Sequence, residues 1–438
     1  MKSFFSNGKN IWLSILLLFF QVQVFCQESD LYNQIKSFPE VVSIQKIDNN
    51  PFFKETYEIL ISQYLDHGNL AAGKFNQRVI LSNYNKYSPV IFVAEGYRAD
   101  YATKETYINE LSKILEGNQI VVEHRYFGKS MPDNKNWDYL TMENGCADLH
   151  YIMKIFKRLY NNQNKWIATG ISKGGTNTLA YKAFYPNDMD VWISYVGPIN
   201  FSAEDKRHAK FLKTVDSQNC RRKVYEFQKE ILMDRDSIQP LLDSLIKAEH
   251  YTFPIPNDEV LDYCVLEYSF SFWQWGTSCA DIPPDSVSYR KKFEHLITVS
   301  GLKYFSDEGI AQYLSFFVQA AKEMGYYAYD TKPFKSYLKI KSAKGYLNKI
   351  FLQDNGPFKF DKKTSSFIEK SIDQDGKHVL MIYGEYDPWS ASALRLKKGS
   401  QAVKFIIPEA CHKTRINNMP LGEKAKIYML LETWLTED

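Results

Sequence analysis

Between residues 75 and 198 the chain alternates short, continuously apolar runs with stretches of helical spacing. The runs are "VIL", "VIFVAEG", "QIVVEHR", "WIATGI" and "VWISYVG", and the helical patterns between them include Thr103–Glu116 and Glu143–Tyr160. A strand that is apolar at every position has no face to offer to water. Such strands belong in a mostly parallel sheet, covered on both sides by the helices that return the chain between them. The same rhythm resumes near Lys377 with "HVLMIYGEYDPW", a short helix, "AVKFIIPEACH" and a closing helix from Leu421 to Trp434.

Between these stretches the pattern changes. "AKFLKTVDSQNCRRKVYEFQKEILMD" and "LLDSLIKAEH" carry apolar residues at helical spacing, without clear strands. The organisation expected is a leader over 1–26, a first part of an α/β core over 27–200, a mainly helical insertion over 201–375, and the rest of the core over 376–438.

The run "WIATGI" leads into Gly170-Ile171-Ser172-Lys173-Gly174, a G-x-S-x-G pattern between a predicted strand and a predicted helix. A serine at such a turn is held in a strained backbone conformation, with glycines removing the clash, so that its hydroxyl projects above the sheet. The Lys173 backbone N–H, at the head of the helix, would face a developing oxyanion. The bland reading is a helix N-cap serine with glycines for close packing. The two separate on whether an acid and then a base follow in order, as the nucleophile-elbow fold requires. They do. Asp387 comes just past "HVLMIY", in a turn stiffened by Pro388 and Trp389, with Glu385 its competitor. His412, alone among the eight histidines, follows that acid, in the loop after "AVKFIIP".

Composition excludes several classes. The chain has 438 residues, 45% hydrophobic and 24% charged, with a net charge of +3 and no long basic block, so nothing points to nucleic acid. The first residues have the layout of a secretory signal peptide: Lys2 and Lys9, an apolar run from Ile11 to Phe20, then a polar stretch with cleavage expected after Cys26. A lipidated Cys26 is the rival reading. The apolar run is short for an uncleaved anchor, and no later segment reads as a membrane span. Past Cys26 lie Cys146, Cys220, Cys264, Cys279 and Cys411, in a compartment that permits disulfides. An odd number leaves at least one free, and Cys264–Cys279 is the expected bridge. No cysteine and histidine spacing suits structural zinc, and no metal or organic cofactor is called for.

"QYLDHGNLAAGKFNQRV", "VEHRYFGKS", "TGISKGG", "FWQWG" and "YGEYDPWSA" resemble the bacterial secreted prolyl tri- and tetrapeptidyl aminopeptidases, serine peptidases related to lysosomal Pro-X carboxypeptidases and dipeptidyl peptidases. The similarity spans nearly the whole chain after the leader. It implies an α/β-hydrolase core with a helical cap that restricts the site to chain ends. It also implies Ser172 as nucleophile, Asp387 as acid and His412 as base, acting on peptides near proline. Where the family pattern leads one to expect Gly or Asn before the histidine and Gly after it, this chain has Cys411 and Lys413.

Other residues carry two readings each. His124 and Arg125 precede Ser172, the wrong order for a base, and read as a brace for the site. Asp66 and His67 read as a structural turn. Gly96 or Tyr97, after the strand "VIFVA", is the candidate for a second oxyanion donor. Glu95 is either a partner for a substrate ammonium or a structurally paired acid. Phe272, Trp273 and Trp275 either pack inside the cap or line a pocket for a proline ring. Besides an exopeptidase, the pattern admits an esterase or lipase with the same triad, and a binding protein on an inactive hydrolase scaffold.

Overall fold

The computed structural model describes residues 29–160 and 164–437, so the leader expected over 1–26 lies outside the described residues. Nine strands form one sheet in the order β1-β2-β3-β5-β4-β6-β7-β10-β11. They are β1 (Val41–Ile47), β2 (Glu55–Tyr64), β3 (Lys74–Asn83), β4 (Val90–Ala94), β5 (Asn118–Val122), β6 (Trp166–Ile171), β7 (Val191–Tyr195), β10 (Val379–Gly384) and β11 (Val403–Ile407). Two short strands in the insertion, β8 (Glu204–Asp205) and β9 (Tyr326–Tyr327), pair separately. β1, β2 and β3 are antiparallel, and β3 runs antiparallel to β5. From β5 to β11 every pairing is parallel.

Each continuously apolar run is one of these strands, and β4, β5, β7 and β10 are buried at every position. One face is covered by α1 (Asp30–Lys36), α3 (Met142–Phe156) and α4 (Lys173–Phe184). The other is covered by α2 (Glu110–Leu115) and α12 (Leu421–Thr436). The chain is an α/β-hydrolase fold. α2 is shorter than the pattern Thr103–Glu116 suggests: Asn109 caps its start and Glu116 ends it in the left-handed region at φ 49°.

The insertion leaves after β7 and rejoins at β10, the strand beside β7 in the sheet. It carries α5 (Arg207–Phe211), α6 (Gln218–Met233), α7 (Arg235–Ala248), α8 (Asn257–Trp275), α9 (Tyr289–Ser300) and α10 (Asp307–Gln319), packed around a core of their own. The helix α11 (Lys363–Gln374) falls within the span 201–375 but packs on the sheet, because Ile368 and Ile372 join the core beneath α4. Among the described residues no helix is long and apolar enough to cross a membrane.

The expected bridge is corrected. Cys220, in the first turn of α6, pairs with Cys279, their Cα atoms 5.7 Å apart. Cys264 is buried within α8, about 16 Å of helix rise from that helix's end, and cannot reach the loop that holds Cys279.

Candidate active site

Strand order reverses where β4 lies between β5 and β6, and the loops beyond the carboxyl ends of strands at such a point are where α/β sheets place ligands. Ser172 stands there, between β6 and α4, at φ 57° and ψ −120°. That region is costly for a residue with a Cβ, so the surrounding packing must hold it. A Cβ on Gly170 would lie 2.2 Å from the Gly174 carbonyl oxygen, and one on Gly174 would lie 2.7 Å from that of Ala94. Only glycine lets the turn close on itself and on β4. The Ser172 N–H donates to the Tyr195 carbonyl (2.9 Å), tying the turn to β7.

Asp387 follows β10 and is fully buried. Its Oδ1 accepts from the Trp389 N–H (3.1 Å), and its Oδ2 lies 2.7 Å from His412 Nδ1. Since the carboxylate is an acceptor, Nδ1 carries the hydrogen and Nε2 is left to accept. The His412 loop is pinned from the cap: the His412 N–H donates to the carbonyl of Gln274, at the end of α8 (3.0 Å). Gly276, just past α8 at φ 72°, packs on Cys411; a Cβ there would meet the sulfur at 3.0 Å. Glu385, the competing acid, is exposed and accepts from the Glu409 N–H instead.

Ser172 and His412 line one cavity of about 740 Å³ between core and cap. Its wall includes Trp275, whose ring stands edge-on to His412 at 5.8 Å, and the α8 carboxylate Glu267. Glu267 is buried, and burial pushes its pKa up to about 7 although Ser271 (2.5 Å), Tyr329 (2.7 Å) and Tyr327 (2.7 Å) donate hydroxyl hydrogen bonds to it.

The family model of PS-10 peptidase S37 matches residues 27–435. The chain belongs to this family. It is a serine peptidase. Among curated proteins it is similar to the prolyl tri/tetrapeptidyl aminopeptidase of Streptomyces mobaraensis, 27% identical over 421 residues, covering 93% of this chain and 85% of that one. The human lysosomal Pro-X carboxypeptidase is 26% identical over 165 residues, covering 34% of this chain and 33% of that one. The solved proline iminopeptidase of Mycobacterium smegmatis aligns at TM-score 0.43 and 12% identity, over 90% of this chain and 99% of that one.

Within this peptidase, several expected site residues sit elsewhere. Gly96 and Tyr97 do not offer free amides, because both N–H groups donate to Glu95 Oε1 (2.7 and 3.2 Å). Glu95 Oε2 accepts from the Tyr101 hydroxyl (2.5 Å), so this carboxylate is held by its own turn while also lining the Ser172 cavity. Gly96 does lie against the start of α4, where its Cβ would be 2.7 Å from the Gly174 nitrogen. Phe272 and Trp273 are buried inside the cap, against Tyr268 and Tyr386 respectively, and neither lines the Ser172 cavity. They lie on the sides of α8 that turn away from it; of the three aromatics only Trp275, at the helix end, reaches it.

His124 and Arg125, expected to brace the site, make their hydrogen bonds with the surrounding framework rather than with Ser172, Asp387 or His412. Arg125 is fully buried, holds Asp148 with two hydrogen bonds of 2.6 Å and also donates to the carbonyls of Tyr64, Leu65 and Tyr139. His67 joins the same Asp148 (2.8 Å), while Asp66 caps its own turn at Gly68. His124 donates from Nδ1 to the Arg125 carbonyl, and burial, then the charge of Lys173, hold its pKa well below the ordinary value.

Sequence reading passed over three groups. Glu267 had a signal: it is the one charged residue in the largely apolar and aromatic run "YCVLEYSFSFWQW". The Lys173 side chain is buried between the rings of Tyr97 and Phe127 (5.8 and 5.5 Å), with no hydrogen-bond partner for Nζ among the described residues, and burial lowers its pKa to about 7. Arg415 lines the Ser172 cavity, and no local pattern distinguishes it from a surface arginine.

Proposed function

We propose that this peptidase is a secreted serine exopeptidase that releases short peptides from free N-termini, with a preference near proline. Ser172 attacks the scissile carbonyl while His412 Nε2 takes its proton. Asp387 holds the imidazole in the required tautomer and stabilises the imidazolium. His412 then protonates the leaving amine and activates water to hydrolyse the acyl-enzyme. The Lys173 N–H donates to the oxyanion.

The observation that carries the reading is the capped cavity itself, with Ser172 and His412 in its wall and the buried carboxylate of Glu267 facing them from the cap. A cleft for folded proteins would be open. A capped cavity admits a flexible chain end, and a buried carboxylate in its wall has a substrate ammonium as its natural counter-charge. Trp275, beside His412, offers a flat apolar face for a proline ring. The leader pattern and the Cys220–Cys279 bridge support export to an oxidising compartment.

Fluorophosphonate labelling of intact protein should place the adduct on Ser172, and no adduct would remove the nucleophile. A peptide with a free N-terminus should be cleaved and its acetylated counterpart should not. Equal rates on both, and on a compact folded protein, would remove the capped exopeptidase.

A further inference from the structure

A second cavity, of about 510 Å³, lies beside the first and shares Glu95, Ile171 and Arg415 with it. Ser172 is not in its wall. Ile171, the residue before the serine, separates the two and is 41% exposed, an unusual state for an isoleucine at the end of a buried strand. The second cavity is bounded by the edge-on ring pair Tyr101–Tyr107 (4.8 Å), by Tyr195 and by Asn109, and its size falls in the range of small-ligand sites.

Arg415 stands at the junction. One of its terminal nitrogens, Nη1, donates to the carbonyls of His412 (3.2 Å) and Thr414 (2.7 Å). The guanidinium lies over the Tyr195 ring at 5.6 Å, which orients its plane. Among the described residues it makes no ion pair. The two carboxylates in the same wall are engaged: Glu110 accepts from the N–H groups of Ile416 (3.2 Å) and Asn417 (3.1 Å), and Glu95 accepts from Gly96, Tyr97 and Tyr101. A planar cation in a sheltered wall, with nitrogens not used by the protein, is the group that recognises a carboxylate.

A peptide crossing Ser172 needs room on both sides of the scissile bond. With Glu267 receiving the N-terminal side in the cap, the remaining direction is over Ile171 into the second cavity. Resting on the exopeptidase reading, the geometry points to this cavity as the subsite for the leaving fragment, with Arg415 binding the C-terminal carboxylate of a substrate that ends one or two residues past the cut. The enzyme would then favour short peptides with free C-termini.

The test uses one cleavable N-terminal segment in three forms: a p-nitroanilide, and peptides extended one or two residues past the scissile bond that end in a carboxylate or an amide. The readout is the carboxylate-to-amide ratio of kcat/KM in the wild type, Arg415→Gln and Arg415→Lys. The ratio cancels any general loss caused by disturbing the His412 loop. The wild type should prefer the carboxylate at one of the two lengths by about tenfold or more, the worth of one charge-assisted hydrogen bond. Arg415→Gln should bring the ratio near unity and Arg415→Lys should keep part of it. A wild-type ratio near unity at both lengths, or a ratio preserved in Arg415→Gln, overturns the inference. If the glutamine variant does not fold, the wild-type ratio and the lysine variant decide. An anilide left uncleaved by the wild type sinks the exopeptidase reading and this inference together; an anilide cleaved with no carboxylate preference sinks this inference alone.

Discussion

Replacing Glu267 by Gln should make the protein more stable at alkaline pH and less selective as an enzyme. The carboxyl is 4% exposed, and its pKa stands at about 7 in the folded chain against an ordinary 4.5. A carboxyl whose folded pKa is raised stabilises the fold most when both states hold the proton, below pH 4.5. That contribution is lost as pH rises through about 7, because the folded state must ionise a buried group. Between pH 5 and pH 8.5 the wild type should lose roughly 2 to 3 kcal/mol from this one site, an upper figure because the group borders a cavity that water can enter. Gln does not ionise, and the hydroxyls of Ser271, Tyr327 and Tyr329 can still bond its amide oxygen. Urea unfolding of both proteins at the two pH values gives the difference directly. The stability of the variant relative to the wild type should rise between pH 5 and pH 8.5 by about that amount. On the enzymatic side, kcat/KM for a peptide with a free N-terminus should fall about 10- to 100-fold in the variant at about pH 7.5, where Glu267 is mostly ionised and an α-amino group of ordinary pKa about 8 still holds its proton, the value of a hydrogen bond between charged groups. The wild type should lose the same advantage as pH falls through 7. A relative stability that does not change with pH would refute the account of burial. Unchanged activity on the free N-terminus would refute the ammonium role.

Asp387→Asn should lower kcat by roughly 10³ to 10⁴, as loss of the orienting carboxylate does in Ser-His-Asp enzymes, with little change in KM; steady-state kinetics on a chromogenic peptide check this. Lys173→Met should raise stability most at neutral pH and below. The wild-type lysine, with its folded pKa depressed to about 7, must be buried charged there, and its penalty disappears as pH rises from 7 toward 10.5; thermal melts across that range read the convergence. Removing the Cys220–Cys279 bridge with Cys220→Ser should cost about 2 to 4 kcal/mol, and urea titration with and without reductant should show the same loss in the reduced wild type.

Much of this molecule could be read from the chain because the information was local. A strand buried on both faces has to be apolar at successive positions, and the apolar runs are strands of the sheet, with the edge strand β11 left partly exposed. The motif Gly170–Gly174 declared its turn because only glycine tolerates the approach of Gly174 and Ala94 backbone atoms within 3 Å of where a Cβ would stand. The order of Asp387 and His412 followed from topology, since each comes after a strand whose place in the sheet the alternation implied. Tertiary structure decided what depends on the direction in which a side chain points and on what meets it. Three aromatics within four residues of α8 looked alike in sequence; helical rotation buries Phe272 and Trp273 and leaves Trp275 beside His412. Glu95 could face substrate or its own turn, and only the fold shows both its oxygens taken. Cys264 and Cys220 are equal candidates for Cys279 until α8 separates one and α6 presents the other. That Ser172 shares a cavity with a carboxylate of the cap, 95 residues later in the chain, is of the same kind: it comes about only because the insertion folds back over the strand ends, and no spacing encodes that return.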